Sequence, residues 1–256
     1  TKTPLVVRLV NRTNARESEL IALMLPGFGC DEDSMLELDN ALKGDQCIKH
    51  MKHMIFTAEA SLDEMVRTIE NKYQHSELLL VGFSMGGWVA QAVASKLRSK
   101  IKGMVLISSW TEAPSQYLQI IKSLHEKIKS GNTLDSLRPL VVESFIDKQT
   151  KDAMADRWLS MANRIGPEMF LRQTKAILEN PNVGQCIPDI ECPTLAIAGA
   201  ADTLLIPDDQ FKLLLDPAIF KTLVLESCGH NLIWERPLML SNFVKQWLHL
   251  NFESTD

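Results

Sequence analysis

Short apolar runs recur along the chain with little polar interruption. They are LIALMLPG (20–27), LLLVGF (78–83), GMVLISS (103–109), PTLAIAGA (193–200) and KTLVLES (221–227). A strand with one wet face alternates in polarity. These runs barely do, so each is predicted to be buried on both faces, as in a parallel sheet. A weaker strand is predicted within CIKHMKHMIF, and VVRLVNR reads as an antiparallel edge. Helix patterns lie between the runs. Residues 31–42 carry Asp31 or Asp33 as cap, and 61–73 open on SLDE, a capping box of Ser61 and Glu64. Residues 85–97, 207–215 and 237–250 complete the set. Alternation of this kind predicts an α/β fold with a doubly wound, mostly parallel sheet.

The alternation stops between residues 112 and 190, where no convincing strand occurs. Helical spacing instead covers 114–129, 133–145, 149–164 and 167–178, with Leu118, Ile121, Leu124 and Ile128 forming one stripe. The expected organisation is an α/β core of residues 1–111 and 191–256, carrying a helical lid inserted at 112–190, too long for an ordinary connection.

Composition narrows the function classes. Of the 256 residues, 45% are hydrophobic and 23% charged, as in an ordinary globular protein. A net charge of −5 offers no basic excess to neutralise phosphates, so no nucleic-acid partner is expected. The lid segment itself is balanced, with ten basic and ten acidic residues. No apolar run approaches a membrane span. The opening TKTPLVVRLVNR, interrupted by Arg8, lacks the pattern of a secretory signal. Five cysteines without a C-x-x-C pair suggest reduced thiols in the cytoplasm, and neither they nor His50 and His53 complete a metal set. No cofactor or metal is expected.

The candidate chemistry begins at Gly82-Phe83-Ser84-Met85-Gly86, a G-x-S-x-G sequence with a strand before it and a helix after it. A serine on that sharp turn is exposed, and the following N–H, that of Met85, opens a helix where partial positive charge favours an oxyanion. A hydroxyl nucleophile needs a base and the base needs an orienting acid. His230, in CGHNLIWERP, and Asp202, in GAADTLLIP, each follow a predicted strand. In open α/β sheets, sites gather at such strand ends. Glu112, just past LISS, also follows a predicted strand. LPGFG can supply the second oxyanion donor, the N–H of Phe28.

These stretches resemble the α/β-hydrolase superfamily over nearly the whole chain. The likeness is strongest in LPGFGCD, GFSMGGWVA, CPTLAIAGAAD and CGHNLIWERP. The lidded branch holds carboxylesterases, pimeloyl-carrier-protein methyl esterases, haloperoxidase-like enzymes and carbon–carbon-bond hydrolases. The resemblance implies Ser84, Asp202 and His230 in the order of the superfamily's triads, with Glu112 as the alternative acid, because some members carry their acid just past that strand. Pro26 stands where many relatives have histidine, which leaves the backbone donor in place.

The expected reaction is hydrolysis of a small or medium carboxylic ester or thioester through an acyl-enzyme. Carbon–carbon cleavage or lyase chemistry on the same residues, and a ligand receptor with slow turnover, are the alternatives. Menaquinone-pathway lyases resemble this fold but typically carry arginine at the position of Trp88. Phe28, Cys30, Trp88 and Trp110 are candidates to line the substrate site; each could equally belong to the core, and for Trp88, on the helix after Ser84, core packing is the better reading. Arg138, Arg157, Arg164 and Arg172 could recognise a carboxylate or the phosphate of an acyl carrier protein, which makes such a protein a candidate partner.

Overall fold

The computed structural model describes residues 20–146 and 149–252. The elements follow one another as β1 (Leu20–Leu25), α1 (Leu36–Leu42), β2 (His50–His53), α2 (Leu62–Lys72), β3 (Glu77–Phe83), α3 (Met85–Leu97) and β4 (Ile101–Ile107). Then come α4 (Ser115–Lys129), α5 (Arg138–Glu143), α6 (Lys151–Ile165) and α7 (Pro167–Glu179). The chain ends on β5 (Thr194–Gly199), α8 (Pro207–Phe211), β6 (Phe220–Leu225), α9 (Leu232–Glu235) and α10 (Pro237–Phe252).

The described strands form one six-stranded sheet, in the order β2-β1-β3-β4-β5-β6, and every pairing is parallel. The chain steps outward from β1 to β2, then returns past β1 to β3. The order therefore reverses between β1 and β3, the crevice where ligands of such sheets bind. Register aligns the strand ends there: Leu25 lies opposite Gly82, and Phe83 opposite Ile107. Cover on both faces explains the unbroken apolar runs of β1, β3, β4 and β5, whereas β6, also expected to be buried, is an edge of the sheet and leaves Lys221, Thr222 and Val224 exposed. Val81, Val105 and Ile197 are fully buried, and α3 is buried along almost its whole length.

Local signals account for most helix starts. The Asp31 side chain accepts from Asp33 N–H, so Asp31 is the cap, and the first turn after it is a 3-10 turn. Ser61 Oγ accepts from Glu64 N–H as the capping box requires. Glu64, however, reaches back to Ala60 N–H at 2.7 Å rather than to Ser61. The helix expected over 207–215 closes early, at Phe211. The edge strand expected in VVRLVNR lies outside the described residues.

Between β4 and β5 the described segment is helical apart from one isolated bridge, Glu112 to Asn182. Two further bonds, Ala113 N–H to Pro181 O and Val183 N–H to Thr111 O, tie the two ends of this segment side by side. The helices thus leave and rejoin the sheet at one place, beside the C-terminal ends of the strands.

Candidate active site

Ser84 sits between β3 and α3 with φ 50° and ψ −114°, a conformation that L-residues rarely adopt. Surrounding packing holds it there. Ser84 N–H donates to Ile107 O at 2.8 Å, and Ser109 Oγ donates to Ser84 O at 2.8 Å. The flanking glycines are steric requirements. A Cβ on Gly82 would stand 2.5 Å from the backbone of Gly86, and one on Gly86 would stand 1.9 Å from Leu25 O. The strand, the turn and the helix pack this closely only without those side chains.

Three side chains from three strand ends meet in a buried hydrogen-bonded chain. His230 Nε2 lies 3.1 Å from Ser84 Oγ. His230 Nδ1 lies 2.8 Å from Asp202 Oδ2. A carboxylate only accepts, so Nδ1–H donates to it, and Nε2 is left to accept the serine proton. Asp202 is itself saturated. Its Oδ1 accepts from Leu204 N–H and Leu205 N–H, each at 2.9 Å, and its Oδ2 also accepts from Gln210 Nε2 at 3.0 Å. The loop after β5 is therefore wrapped around the carboxylate and fixes the face it presents to His230.

Glu112 is elsewhere. Its carboxylate bonds Lys212 Nζ at 3.0 Å and Asn182 Nδ2 at 3.2 Å, and the lysine holds its pKa below the usual value. Asp202, not Glu112, is the acid beside the histidine.

The β1 loop abuts the serine from the other side. A Cβ on Gly27 would lie 3.5 Å from the Cβ of Ser84. Phe28 is carried in the turn closed by Cys30 N–H to Gly27 O. The next residue, Gly29, donates its N–H to Gln173 Oε1 at 2.9 Å, and Gln173 Nε2 donates to Phe56 O. Gln173, buried on α7, thus anchors this loop to the helical segment. Met85 N–H opens α3, where the first amides of a helix have no acceptor within it.

Above the serine lies a cavity with about 700 Å³ of empty space, its mouth included. Phe28 and Cys30 line it, as do Phe83, Ile121, Leu124 and Trp158. Its polar lining beyond Ser84 and His230 is sparse: Tyr117, Ser144 and Asn231. No lysine or arginine among the described residues lines it. Burial pushes the Cys30 thiol up to about 12, so at neutral pH it is an apolar wall rather than a nucleophile.

Trp88 and Trp110, both candidates for the site, do not line the cavity; Trp88 takes the core position that its sequence context favours, and Trp110 is core as well. Both are fully buried, and their rings stack 5.9 Å apart. Trp88 Nε1–H donates to Asn180 O, which points its ring toward the helical segment's return to the sheet. The arginines of the helical segment are engaged as well. Arg138 bonds Asp152 and Asp156, and Arg157 bonds Glu37. Arg164 bonds Asp31 and Asp33, while Arg172 bonds Thr57 O and approaches Glu168. Arg157 and Arg164 thereby tie α6 to the segment after β1.

Tyr117, Gln173, Gln210 and Asn231 were not singled out in the sequence. A signal existed for one of them: Tyr117, Ile121 and Leu124 share a helical stripe, and all three face the cavity. A group with metal-ligand character brings Asp45 and Cys47, which precede β2, together with His249 of α10, away from this site. No described helix is long and apolar enough to cross a membrane.

Comparison with known proteins agrees with this fold. A family model for the alpha/beta hydrolase fold matches residues 7–237. The chain is 28% identical over 177 residues to a 2-hydroxy-6-oxononadienedioate/2-hydroxy-6-oxononatrienedioate hydrolase of Burkholderia vietnamiensis, a match covering 66% of this chain and 61% of that one. It therefore spans about three fifths of that relative's length. It is 26% identical over 192 residues to a pimeloyl-(acyl-carrier protein) methyl ester esterase of Shewanella woodyi, covering 67% and 70%. A thermophilic esterase from Thermogutta terrifontis superimposes with a TM-score of 0.79 at 18% identity, over 92% of both chains. The enol-lactonase from Burkholderia xenovorans LB400 gives 0.74 at 16% identity, over 92% of this chain and 93% of that one. Likeness at such identities shows the fold, and the family model spans most of the sequence: the chain belongs to the α/β-hydrolase family.

Proposed function

We propose that this protein is a serine hydrolase cleaving a carboxylic ester or thioester with an apolar acyl group. The observation that carries the reading is the chain from Ser84 Oγ to His230 Nε2 to Asp202, opening into an apolar cavity. His230 takes the Ser84 proton as Oγ attacks the carbonyl carbon. The N–H groups of Phe28 and Met85 hold the oxyanion of the tetrahedral intermediate. His230 then gives its proton to the leaving oxygen, and the acyl group stays on Ser84. Water, deprotonated by the same nitrogen, attacks the acyl-enzyme and releases the acid. Asp202 orients the imidazole throughout. Helices α4 to α7 act as the lid, within residues 112–190, and select the acyl group. The five cysteines form no disulfide with one another, which agrees with a reducing, cytoplasmic setting.

Carbon–carbon cleavage on the same residues is the second reading, favoured by the name of the Burkholderia vietnamiensis relative. A dioate substrate carries two carboxylates, and burying them calls for cationic partners. The described lining has none, which favours the neutral ester. The esterase of Shewanella woodyi keeps a carrier-bound acyl group among the options. The arginines best suited to its phosphate are paired within this chain, so a small-molecule ester is preferred. The test is turnover of p-nitrophenyl esters of increasing acyl length, beside a dienedioate ring-cleavage product, by wild type and Ser84→Ala. Ester turnover that vanishes in the variant supports the reading. Turnover of the dioate alone, or equal rates in both proteins, overturns it.

A further inference from the structure

Tyr117 is buried, and its hydroxyl makes no hydrogen bond of ordinary geometry among the described residues, although the Ser84 hydroxyl is near enough to interact with it. Leaving a phenol O–H unpaired in the interior is costly, so such groups call for an explanation. Flexibility does not supply one. The Tyr117 ring packs against Trp110 with centroids 5.0 Å apart, and Trp110 in turn stacks on Trp88. Rotation of the ring about its own axis leaves the hydroxyl in place, so the aromatic column holds that oxygen at one point of the cavity wall.

That point has a definite side. Tyr117 faces the same cavity as Ser84 and His230, and its phenol feels both the Ser84 hydroxyl and the Asp202 charge. It reaches the site from α4, which follows β4. The β1 loop with Phe28 reaches Ser84 from the opposite neighbour of β3. An intermediate whose oxyanion faces the Phe28 and Met85 amides turns its other substituents away from β1. The leaving oxygen must also approach His230 Nε2 to receive its proton. The space between His230 and Tyr117 is where that oxygen fits.

Resting on the serine-hydrolase reading above, we propose that the Tyr117 hydroxyl donates a hydrogen bond to the leaving-group oxygen of the ester. The bond between the acyl carbon and that oxygen breaks, its electron pair stays on the oxygen, and His230 supplies the proton. Tyr117 keeps its own proton throughout. Burial, followed by the Asp202 charge, holds the phenol above its ordinary pKa, so it remains a donor. This donor matters most where the leaving oxygen is strongly basic and least where it departs as a stabilised phenolate.

The test compares ethyl butanoate with p-nitrophenyl butanoate in wild type, Tyr117→Phe and Ser84→Ala. Both esters share the acyl group, and their rate ratio on one sample is independent of the folded fraction. Tyr117→Phe is expected to lose about tenfold or more in kcat/KM on the ethyl ester beyond its loss on the nitrophenyl ester. Its melting temperature should be unchanged or higher, because an unpaired buried hydroxyl is removed. Tyr117→Leu, which also loses the ring, should show the same skew in ratio. An unchanged ratio in both variants, with Ser84-dependent turnover intact, overturns the role of Tyr117 alone. Wild type inactive on both esters, or Ser84→Ala as fast as wild type, overturns the hydrolase reading and this assignment with it.

Discussion

The cavity has two walls built on different physical terms. The sheet wall presents Ser84, His230 and Asp202 from turns whose backbone is locked by register, close-packed glycines and saturated hydrogen bonds. The helical wall presents Tyr117, Ile121, Leu124 and Trp158 from α4 and α6. Its grip on the rest of the molecule consists of a few cross-links, among them Gln173 to Gly29 and Arg164 to Asp31. The contrast separates two jobs. Bond-making needs groups held to fractions of an ångström, which strand ends provide. Choice of substrate needs shape and apolarity, which a helix face can change residue by residue.

Breaking the sheet wall should cost the most. Asp202→Asn keeps the shape but lets an amide face Nδ1, which favours the wrong tautomer of His230. Loss of about 10³–10⁴ in kcat is expected from steady-state kinetics, with little change in KM. A weaker break is Gln173→Leu, at the junction of the two walls. It leaves the Gly29 N–H and Phe56 O unpaired and frees the loop bearing Phe28. Urea denaturation should show a loss of about 1–3 kcal/mol, and kcat should fall about tenfold with KM nearly unchanged.

Changes on the helical wall should sharpen the contrast. Leu140 lines the cavity mouth and is 47% exposed, so Leu140→Ala should cost under about 0.5 kcal/mol of stability. Its effect belongs in substrate choice: kcat/KM for longer acyl esters should fall about threefold to tenfold, and for acetate esters hardly at all.

The smallest effect concerns support of the histidine loop. Glu235 is buried, accepts from Gly229 N–H, and desolvation holds its carboxyl above the ordinary value of 4.5. The folded state therefore keeps this proton to higher pH than the unfolded state does. The stability it contributes is full below the unfolded value and is lost as pH rises through the folded one. Glu235→Gln removes that titration. Melting curves across this range should show a flatter fall with rising pH in the variant, with the two proteins diverging most above the folded value.

Much of the sheet wall was legible in sequence because its requirements are local. Ser84 needs a strand, small neighbours and a helix within a few residues, and GFSMGGWVA carries all of them. Asp202 and His230 each follow a short apolar run that reads as a strand; the run before Asp202 is buried throughout, while the one before His230 is an edge strand exposed at Lys221, Thr222 and Val224. The helical wall was less legible because its contacts are distant: Gln173 and Gly29 stand 144 residues apart. Nearness in sequence was no guide at Trp110, and core packing is the better reading of Trp88. Both flank site motifs, yet α3 and the turn after β4 direct them into the interior, where they reach the cavity only through Tyr117. The arginines of the helical segment suggested an anion site, but their charges are spent on Asp31, Asp33, Glu37, Asp152 and Asp156.

The central claim is that Ser84 is a nucleophile activated by His230. Its most direct test is intact-mass and peptide-mapping spectrometry after reaction with an alkyl fluorophosphonate. One adduct is expected, on the peptide bearing Ser84, absent in Ser84→Ala and formed at least about 10³-fold more slowly in His230→Ala. An adduct on another residue, or labelling of Ser84 that proceeds equally fast without His230, would contradict the account.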